Sequence, residues 1–164
     1  MSTYAYFLMV ATFLNALMAG FLFAFSAVVM PGIRQLSDRD FLRSFQAIDR
    51  VIQSGQPLFM IMWLGSSIAL IVAAALALLD PGVQSRLIIS TAALASVFLV
   101  QLPTMTVNIP LNNEVQSLDC DSLDEDAASQ ARLSFESQWN RWNQVRTVVS
   151  VAILAALLLL LWRL

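Results

Sequence analysis

Two polar clusters lie at the edges of long apolar segments, and they hold the residue types best suited to chemistry. The first, VNIPLNNE at residues 107–114, places three asparagines around a proline. The second, WNRWNQVR at residues 139–146, combines two tryptophans with amides and arginines. Amides and guanidinium groups donate hydrogen bonds, and tryptophan offers a flat apolar surface. The clusters are therefore either anchors at a membrane surface or the lining of a ligand site.

Helical spacing places each cluster on one face of a helix. The first stripe falls at i, i+3, i+7 and i+11, and consists of Gln101, Thr104, Asn108 and Asn112. The second consists of Trp139, Asn143, Arg146 and Ser150, with Trp142 beside them. The first stripe is continuous only if its helix persists past Pro110. Because unsatisfied amides are costly in lipid, such stripes face the protein interior, and two antiparallel neighbours would form a polar chamber.

The anchor interpretation remains open for individual residues of the second cluster. Tryptophans and arginines gather at membrane interfaces, so Trp139 and Trp142 fit anchoring about as well as site lining. Arg146 could extend its guanidinium to lipid phosphate. The joint pattern, with aligned amides on one helix opposite an aromatic and arginine face on another, favours a site.

The composition places the chain among membrane proteins. Its hydrophobic fraction is 59% and its charged fraction 12%, against about half and a quarter in soluble domains. The nine basic residues are all arginines, the net charge is −2 and no basic run occurs, which argues against a nucleic-acid partner. The single cysteine, Cys120, cannot form an internal disulfide.

The residue types also argue against a metal or a haem cofactor. The chain contains no histidine, on which haem, copper, non-haem iron and catalytic zinc sites depend heavily. The acidic stretch 119–126 lacks the glycine of a calcium loop, and Leu123 takes a ligand position, so it is better explained as a solvated loop. We therefore expect no metal and no cofactor.

Four apolar segments predict four membrane-spanning helices. They cover about residues 4–30, 58–79, 87–107 and 148–161, and the last helix is expected to begin earlier, near Ala127. Runs of this length cross a hydrocarbon layer of roughly 30 Å, and they lack the alternation of barrel strands. Residues 1–164 are thus expected to form a single all-α integral membrane domain, a transmembrane four-helix bundle with an extended last helix.

The connections between the spans are unequal. A tight turn at residues 80–86 joins the second and third spans, whereas two long connections lie together on the opposite side. In the first of these, Ser37 and Asp40 have capping-box spacing. Apolar residues then recur at helical spacing, namely Phe41, Phe45, Ile48 and Ile52. This pattern predicts an amphipathic helix that lies on the membrane or on the bundle.

The distribution of arginines predicts the orientation. Seven lie in the two long connections, namely Arg34, Arg39, Arg43, Arg50, Arg132, Arg141 and Arg146. Only Arg86 and Arg163 lie on the other side. The positive-inside rule therefore places the long connections in the cytoplasm and both termini outside.

Three motifs, in order and spacing, resemble a known family. These are MPG after the first span, NIPLNNEV after the third, and WNRWNQVR before the fourth. The chain resembles the anthrone-oxygenase-like family of small four-span membrane proteins along nearly its whole length. The resemblance implies oxidation of an anthrone to an anthraquinone with dioxygen, without metal or flavin. By position it carries over Asn108, Pro110, Asn112, Trp142, Asn143 and Arg146.

The implied chemistry needs a flat apolar site with an oxyanion clamp and a base. An anthrone C–H is acidic because its carbanion delocalises into a carbonyl and two rings, and the anion can reduce dioxygen directly. The candidate catalytic residues are Arg146, Asn108, Asn112 and Asn143, which would hold the oxyanion. The candidate substrate-binding residues are Trp139, Trp142, Gln101 and Thr104. For the proton acceptor, Asp49, Glu114 and Glu136 are candidates by position alone.

A non-enzymatic function is the alternative. A small bundle of this kind could bind a lipid or an apolar metabolite, or assemble with another membrane protein. A transporter is less well supported, since no span carries a charged residue at mid-depth and no inverted repeat is visible. The lipid bilayer is the one partner that the composition itself indicates.

Overall fold

A computed structural model describes residues 2–164, which form five helices and no strands. They are α1 (Thr3–Ile33), α2 (Asp38–Gln53), α3 (Pro57–Leu79), α4 (Arg86–Gln116) and α5 (Glu125–Trp162). All but α2 are long and apolar enough to cross a membrane. The prediction of an all-α four-span bundle with an amphipathic helix in the first long connection is confirmed.

Side-chain caps fix where the helices begin. Ser2 accepts a hydrogen bond from the backbone of Ala5 at the start of α1. At the start of α2, the Ser37 hydroxyl accepts from the Asp40 backbone at 3.2 Å and donates to the Asp40 carboxylate at 2.8 Å. Asp124 caps α5. Each cap satisfies a backbone N–H that has no partner inside its helix.

The second long connection is mostly helical. The sequence places the end of the third span near residue 107, whereas α4 continues to Gln116 and α5 already begins at Glu125. The loop between them is only residues 117–124. Pro110 does not end α4, because it lies at the start of the helical segment Ile109–Gln116, directly after the wide π-helical turn Thr104–Asn108.

Wide π-helical turns precede three of the prolines. Segments Phe25–Val29, Ser96–Gln101 and Thr104–Asn108 are π-helical, and each ends two residues before a proline. These prolines are Pro31, Pro103 and Pro110. A proline inside an α-helix lacks an N–H and collides with the carbonyl four residues earlier. A wider turn before it moves that carbonyl away, so the helix continues.

The half of the bundle near the termini is a tightly packed apolar core. Small buried residues on α3, including Ala69 and Ala73, pack against Leu8 on α1. A side-chain carbon added at Gly65 would lie 3.1 Å from Leu14 of α1, so Gly65 permits the close approach of these helices. Asn15 reinforces this contact by donating to the Ser66 carbonyl at 3.3 Å.

A row of small residues on α1 does not form a packing face. Ala16, Gly20 and Ala24 repeat at four-residue spacing, but Gly20 and Ala24 are exposed. A side-chain carbon added at Gly20 would meet nothing within 4 Å. Spacing alone identifies a row of small residues but not the direction in which the row points, which is set by packing of the larger side chains.

Helix α2 lies on the bundle. Its predicted apolar face packs against α4 and α5, where Phe41 and Phe45 contact Phe135. Arg132 of α5 stabilises the start of α2 by donating to the carbonyls of Arg34 and Leu36 and to the Asp38 carboxylate. Its guanidinium carbon also lies 4.4 Å from the centre of the Phe41 ring. Thus α2 closes the end of the bundle opposite the termini.

Candidate functional site

A cavity of about 100 Å³ lies between the helices beneath α2. All five helices contribute side chains to it, and most of the lining is aromatic or amide-bearing. The lining consists of Met18, Phe21, Leu22, Phe25, Phe45, Asp49, Ile52, Phe59, Trp63, Thr104, Asn108, Ile109, Asn112, Trp139, Asn143 and Arg146. The two π-helical segments Phe25–Val29 and Thr104–Asn108 both contribute to this wall. Irregular turns of this type occur often at functional sites.

The guanidinium of Arg146 is buried and held by neutral oxygens. Arg146 is 5% exposed. Its Nη1 donates to Thr104 Oγ1 at 2.9 Å and its Nη2 to Asn143 Oδ1 at 3.0 Å. Within residues 2–164, Nε has no hydrogen-bond partner and no carboxylate forms an ion pair with this side chain. Arg146 therefore presents an uncompensated positive charge to the cavity, rather than pointing to a lipid headgroup.

Asn143 positions Arg146 and joins α5 to α1. Its amide nitrogen donates to Ser26 Oγ at 2.8 Å and to the Leu22 carbonyl at 3.3 Å. These bonds leave the amide oxygen facing Arg146. Because Thr104 donates its own hydroxyl proton to the Val100 carbonyl at 2.7 Å, its oxygen lone pairs also face Arg146. Both acceptors of the guanidinium are thus oriented by further contacts.

Asn108 leaves one polar atom without a partner. It is 2% exposed, and its amide nitrogen donates to the Trp139 carbonyl at 3.3 Å. Its Oδ1 has no hydrogen-bond partner among the described residues. Two buried polar atoms of residues that line the cavity, the donor Nε of Arg146 and the acceptor Oδ1 of Asn108, therefore have no partner among the described residues. Each is a group for which burial without a partner costs about 1–3 kcal/mol.

A hydrogen-bonded chain runs from Trp139 to Asp49. The indole N–H of Trp139 donates to Asn112 Oδ1 at 2.7 Å, and the amide nitrogen of Asn112 donates to Asp49 Oδ1 at 2.7 Å. Gln53 and Gln116 donate to Asp49 Oδ2 at 2.7 and 3.0 Å. Burial raises the pKa of the Asp49 carboxyl, and the amide hydrogen bonds offset part of that shift. The carboxylate is accordingly a stronger base than a solvated aspartate.

Aromatic rings form most of the remaining wall. Phe21 lies 4.9 Å from Phe25 and 5.2 Å from Phe59, measured between ring centres. Trp139 contacts Phe25 and Phe45 at 5.8 and 5.6 Å. Such walls favour a flat apolar ligand, since rings gain from stacked and edge-to-face contacts.

Six of the eight residues predicted for the site line the cavity. These are Thr104, Asn108, Asn112, Trp139, Asn143 and Arg146. Gln101 lies outside it and joins α3 to α4, accepting from Trp63 Nε1 at 2.8 Å and donating to Ser67 Oγ at 2.6 Å. Trp142 also lies outside and is half-buried. One residue along from Asn143, it is turned by about 100° around α5 and faces another surface.

The three acidic candidates have different surroundings. Asp49 lines the cavity and is 2% exposed. Glu114 is exposed on α4. Glu136 accepts a hydrogen bond from Arg132 at 2.8 Å and lies 3.5 Å from Arg34. It is therefore paired with the arginines at the start of α2. Among the three, only Asp49 reaches the cavity.

Sequence reasoning missed the phenylalanine wall. Phe21, Phe25, Phe45 and Phe59 come from three different helices, and their spacing along the chain does not group them together. Trp63 carried a weak signal, because a lone tryptophan inside an apolar span has an indole N–H that requires a partner. The others are identified only once the helices are placed around the cavity.

A protein-family model described as anthrone oxygenase matches residues 50–158, about two thirds of the chain. This range includes the cavity residues of α3, α4 and α5. Helix α1 and most of α2, with Asp49, precede it. No curated protein and no solved structure matches the chain.

Proposed function

The chain belongs to the anthrone oxygenase family, and from this premise we propose that it oxidises a planar aromatic ketone with an acidic C–H group, using dioxygen and no metal or organic cofactor. The ligand would occupy the cavity beneath α2. The observation that carries the proposal is the buried, uncompensated guanidinium of Arg146 among aromatic side chains. A cation in such surroundings most strongly stabilises a ligand that gains negative charge during the reaction.

The reaction begins with loss of a proton from the ligand. A base takes the C–H proton, and the electron pair delocalises onto the carbonyl oxygen. Arg146 Nε, which has no protein partner among the described residues, is the available donor for that oxygen. Asn108 Oδ1 is the available acceptor for a hydroxyl group on the ligand. The clamp therefore stabilises the anion more than the neutral ketone, which lowers the barrier to its formation.

Dioxygen then accepts electrons from the carbanion. One electron passes to dioxygen, and the two radicals combine to form a C–O bond and a peroxide. The first proton is returned to the peroxide, and loss of the second proton from the same carbon then breaks the O–O bond and releases hydroxide, which takes up that second proton to form water. The CH₂ group and one dioxygen thus become a carbonyl group and one water, and every electron is accounted for. The apolar wall keeps bulk water away from the anion.

The cavity is small for such a ligand. An apolar cavity of roughly 150 Å³ holds a single benzene ring, and this one measures about 100 Å³. Three fused rings would require α2 to move away from α4 and α5. We infer that α2 acts as a lid and that its end of the bundle faces the cytoplasm, in keeping with the arginines near it.

Oxygen-isotope labelling of product tests this function. The protein in lipid nanodiscs is mixed with anthrone under ¹⁸O₂, and product is quantified by mass spectrometry against empty nanodiscs. We expect anthraquinone with one ¹⁸O atom, formed faster than by spontaneous oxidation. Binding of anthrone without faster oxidation would support the non-enzymatic alternative, a bundle that binds an apolar metabolite. Absence of binding would refute the proposed ligand class.

A further inference from the structure

We propose that Asp49 is the catalytic base that removes the C–H proton of the ligand. The inference rests on the proposed function. It supplies the proton acceptor that the reaction requires, which is provided neither by the family match nor by the side chains that would hold the oxyanion. Asp49 lies one residue before the matched range.

The position of Asp49 within α2 is unusual for an acidic residue. The other acids of this helix, Asp38 and Asp40, lie in its first turn, where they interact favourably with the helix dipole. Asp49 instead lies on the buried face with Phe45 and contributes directly to the cavity. A charged side chain is seldom placed on a face that packs against a core unless it is paired or functional.

The partners of Asp49 are all neutral amides. Gln53 from α2 and Asn112 and Gln116 from α4 donate to its two oxygens. No cation forms an ion pair with it within residues 2–164. An ionised carboxylate has about four acceptor positions, so three amides leave one for a proton. The amides also hold both oxygens in place, which a base needs when its substrate is rigid.

The charged side chains near Asp49 do not reduce the strength of its carboxylate as a base. On its own helix Arg50 is exposed, and on α4 Glu114 is exposed. From α5 the charged group that reaches the cavity is Arg146, and the residues that α1 and α3 contribute to the lining carry no charge. Burial is accordingly the main influence on the carboxyl, and it raises the pKa. This shift agrees with the geometry, because a stronger base removes a carbon-bound proton faster.

Asp49 and Arg146 lie at different depths in the same cavity. Asp49 contacts Asn112, whereas Arg146 contacts Thr104, and these residues are eight positions apart on α4. Eight residues of a regular α-helix correspond to about 12 Å, and the wide turn Thr104–Asn108 makes the separation somewhat shorter. The base and the cation can therefore flank a ligand from opposite edges. A ketone whose acidic carbon lies across a ring from its carbonyl oxygen has this arrangement.

Proton transfer to Asp49 leaves the electron pair on the ligand. The C–H bond breaks, its proton forms an O–H bond with the Asp49 carboxylate, and the electron pair remains on the ligand as an enolate beside Arg146. When the peroxide later breaks down, that proton leaves Asp49 in the water formed from dioxygen. Asp49 is thus restored after each turnover.

Hydrogen–deuterium exchange without oxygen isolates this step. Protein in nanodiscs is mixed anaerobically with anthrone in D₂O, and deuterium at the CH₂ group is followed by NMR. The wild-type protein should accelerate exchange over empty nanodiscs. Asp49→Asn should lose that acceleration by about 100-fold or more, the usual contribution of a general base, while anthrone still binds. Glu114→Gln, which removes an exposed acid from α4, should exchange at the wild-type rate.

The outcomes separate this inference from the function on which it rests. Wild-type exchange by a folded Asp49→Asn protein, alongside wild-type oxidation of anthrone, would overturn the role of Asp49 alone. If the wild-type protein neither binds nor oxidises anthrone, the proposed function itself fails. If Asp49→Asn does not fold, the pH dependence of the exchange rate of the wild-type protein tests the role of Asp49. The exchange rate must fall as one group with a pKa above the ordinary aspartate range is protonated, and a flat profile would refute the role.

Discussion

Arg146 donates a 3.0 Å hydrogen bond to the side chain of Asn143, one turn earlier on the same helix. Asn143 in turn donates to Ser26 of α1, and the other terminal nitrogen of Arg146 donates to Thr104 of α4. The guanidinium therefore joins three helices through neutral partners. No carboxylate among residues 2–164 neutralises its charge, and its third nitrogen has no hydrogen-bond partner there.

Arg146→Lys should reduce the kcat/KM for anthrone by about 100-fold, the usual loss when one oxyanion donor is removed. A lysine ammonium is a point charge and cannot contact Thr104, Asn143 and a ligand through a planar fork. Oxygen uptake with anthrone in nanodiscs measures the effect. Arg141→Lys is the control, since Arg141 is exposed one turn and a half away. Equal activity of the two variants would show that Arg146 holds the helices together but does not assist the reaction.

Asn108→Leu should stabilise the unliganded protein and weaken ligand binding. The substitution removes a buried amide oxygen that has no partner among the described residues, at the expense of one 3.3 Å hydrogen bond. Relief of an unsatisfied group is worth about 1–3 kcal/mol. Thermal unfolding in detergent and anthrone titration measure the two effects. A loss of stability together with unchanged affinity would mean that Asn108 serves packing rather than the ligand.

Much of the fold can be predicted from the hydropathy of the sequence and from the periodic spacing of its apolar and polar residues. The length of each apolar run predicts four spans because the bilayer sets a minimum length for a helix. The spacing of Phe41 and Phe45 predicts the buried face of α2, and the polar stripes place Asn108 and Arg146 on interior faces. These features depend on residues close together in the chain, so one sequence is enough to find them.

The details of the site depend on contacts between distant residues. The π-helical turn Thr104–Asn108 changes the register of α4, and an ideal helical wheel does not include it. The spacing rule therefore groups Gln101 with the stripe, although Gln101 instead bonds to Trp63 on α3. The choice of Asp49 among three acids likewise required the packing of α2 on α4. Hydropathy alone does not determine how helices rotate against one another.

Gly65→Leu should destabilise the bundle, whereas Gly20→Leu should not. A side-chain carbon at Gly65 would approach Leu14 to 3.1 Å, while one at Gly20 meets nothing within 4 Å. Inserting a large side chain into a packed contact costs about 1–3 kcal/mol. Unfolding temperatures of the two variants in the same detergent give the comparison. Equal temperatures would contradict the close approach of α1 and α3.

Arg132→Gln should loosen α2 without unfolding the spans. Arg132 donates to the backbone of Arg34 and Leu36 and to Asp38, all at the entrance to α2. A shorter neutral side chain cannot bridge these groups, so the lid should open more often. Hydrogen exchange by mass spectrometry should then show faster exchange in residues 34–53 and unchanged exchange in α3. Faster exchange in both regions would indicate a general loss of stability.

The pH dependence of the stability of the protein should reflect the titration of Asp49. Because burial raises the pKa of this carboxyl above its value in the unfolded chain, the folded state binds its proton more tightly. The resulting stabilisation is complete below the unfolded pKa of about 4 and is lost as the pH rises through the folded pKa. Asp49→Asn has no such titration, so the wild-type protein should gain stability relative to this variant on acidification from about pH 7 to about pH 4. Unfolding temperatures measured across that range test the sign. Parallel curves for the two proteins would show that Asp49 is solvated and ionised in the same way folded and unfolded, which its burial beneath α2 does not allow.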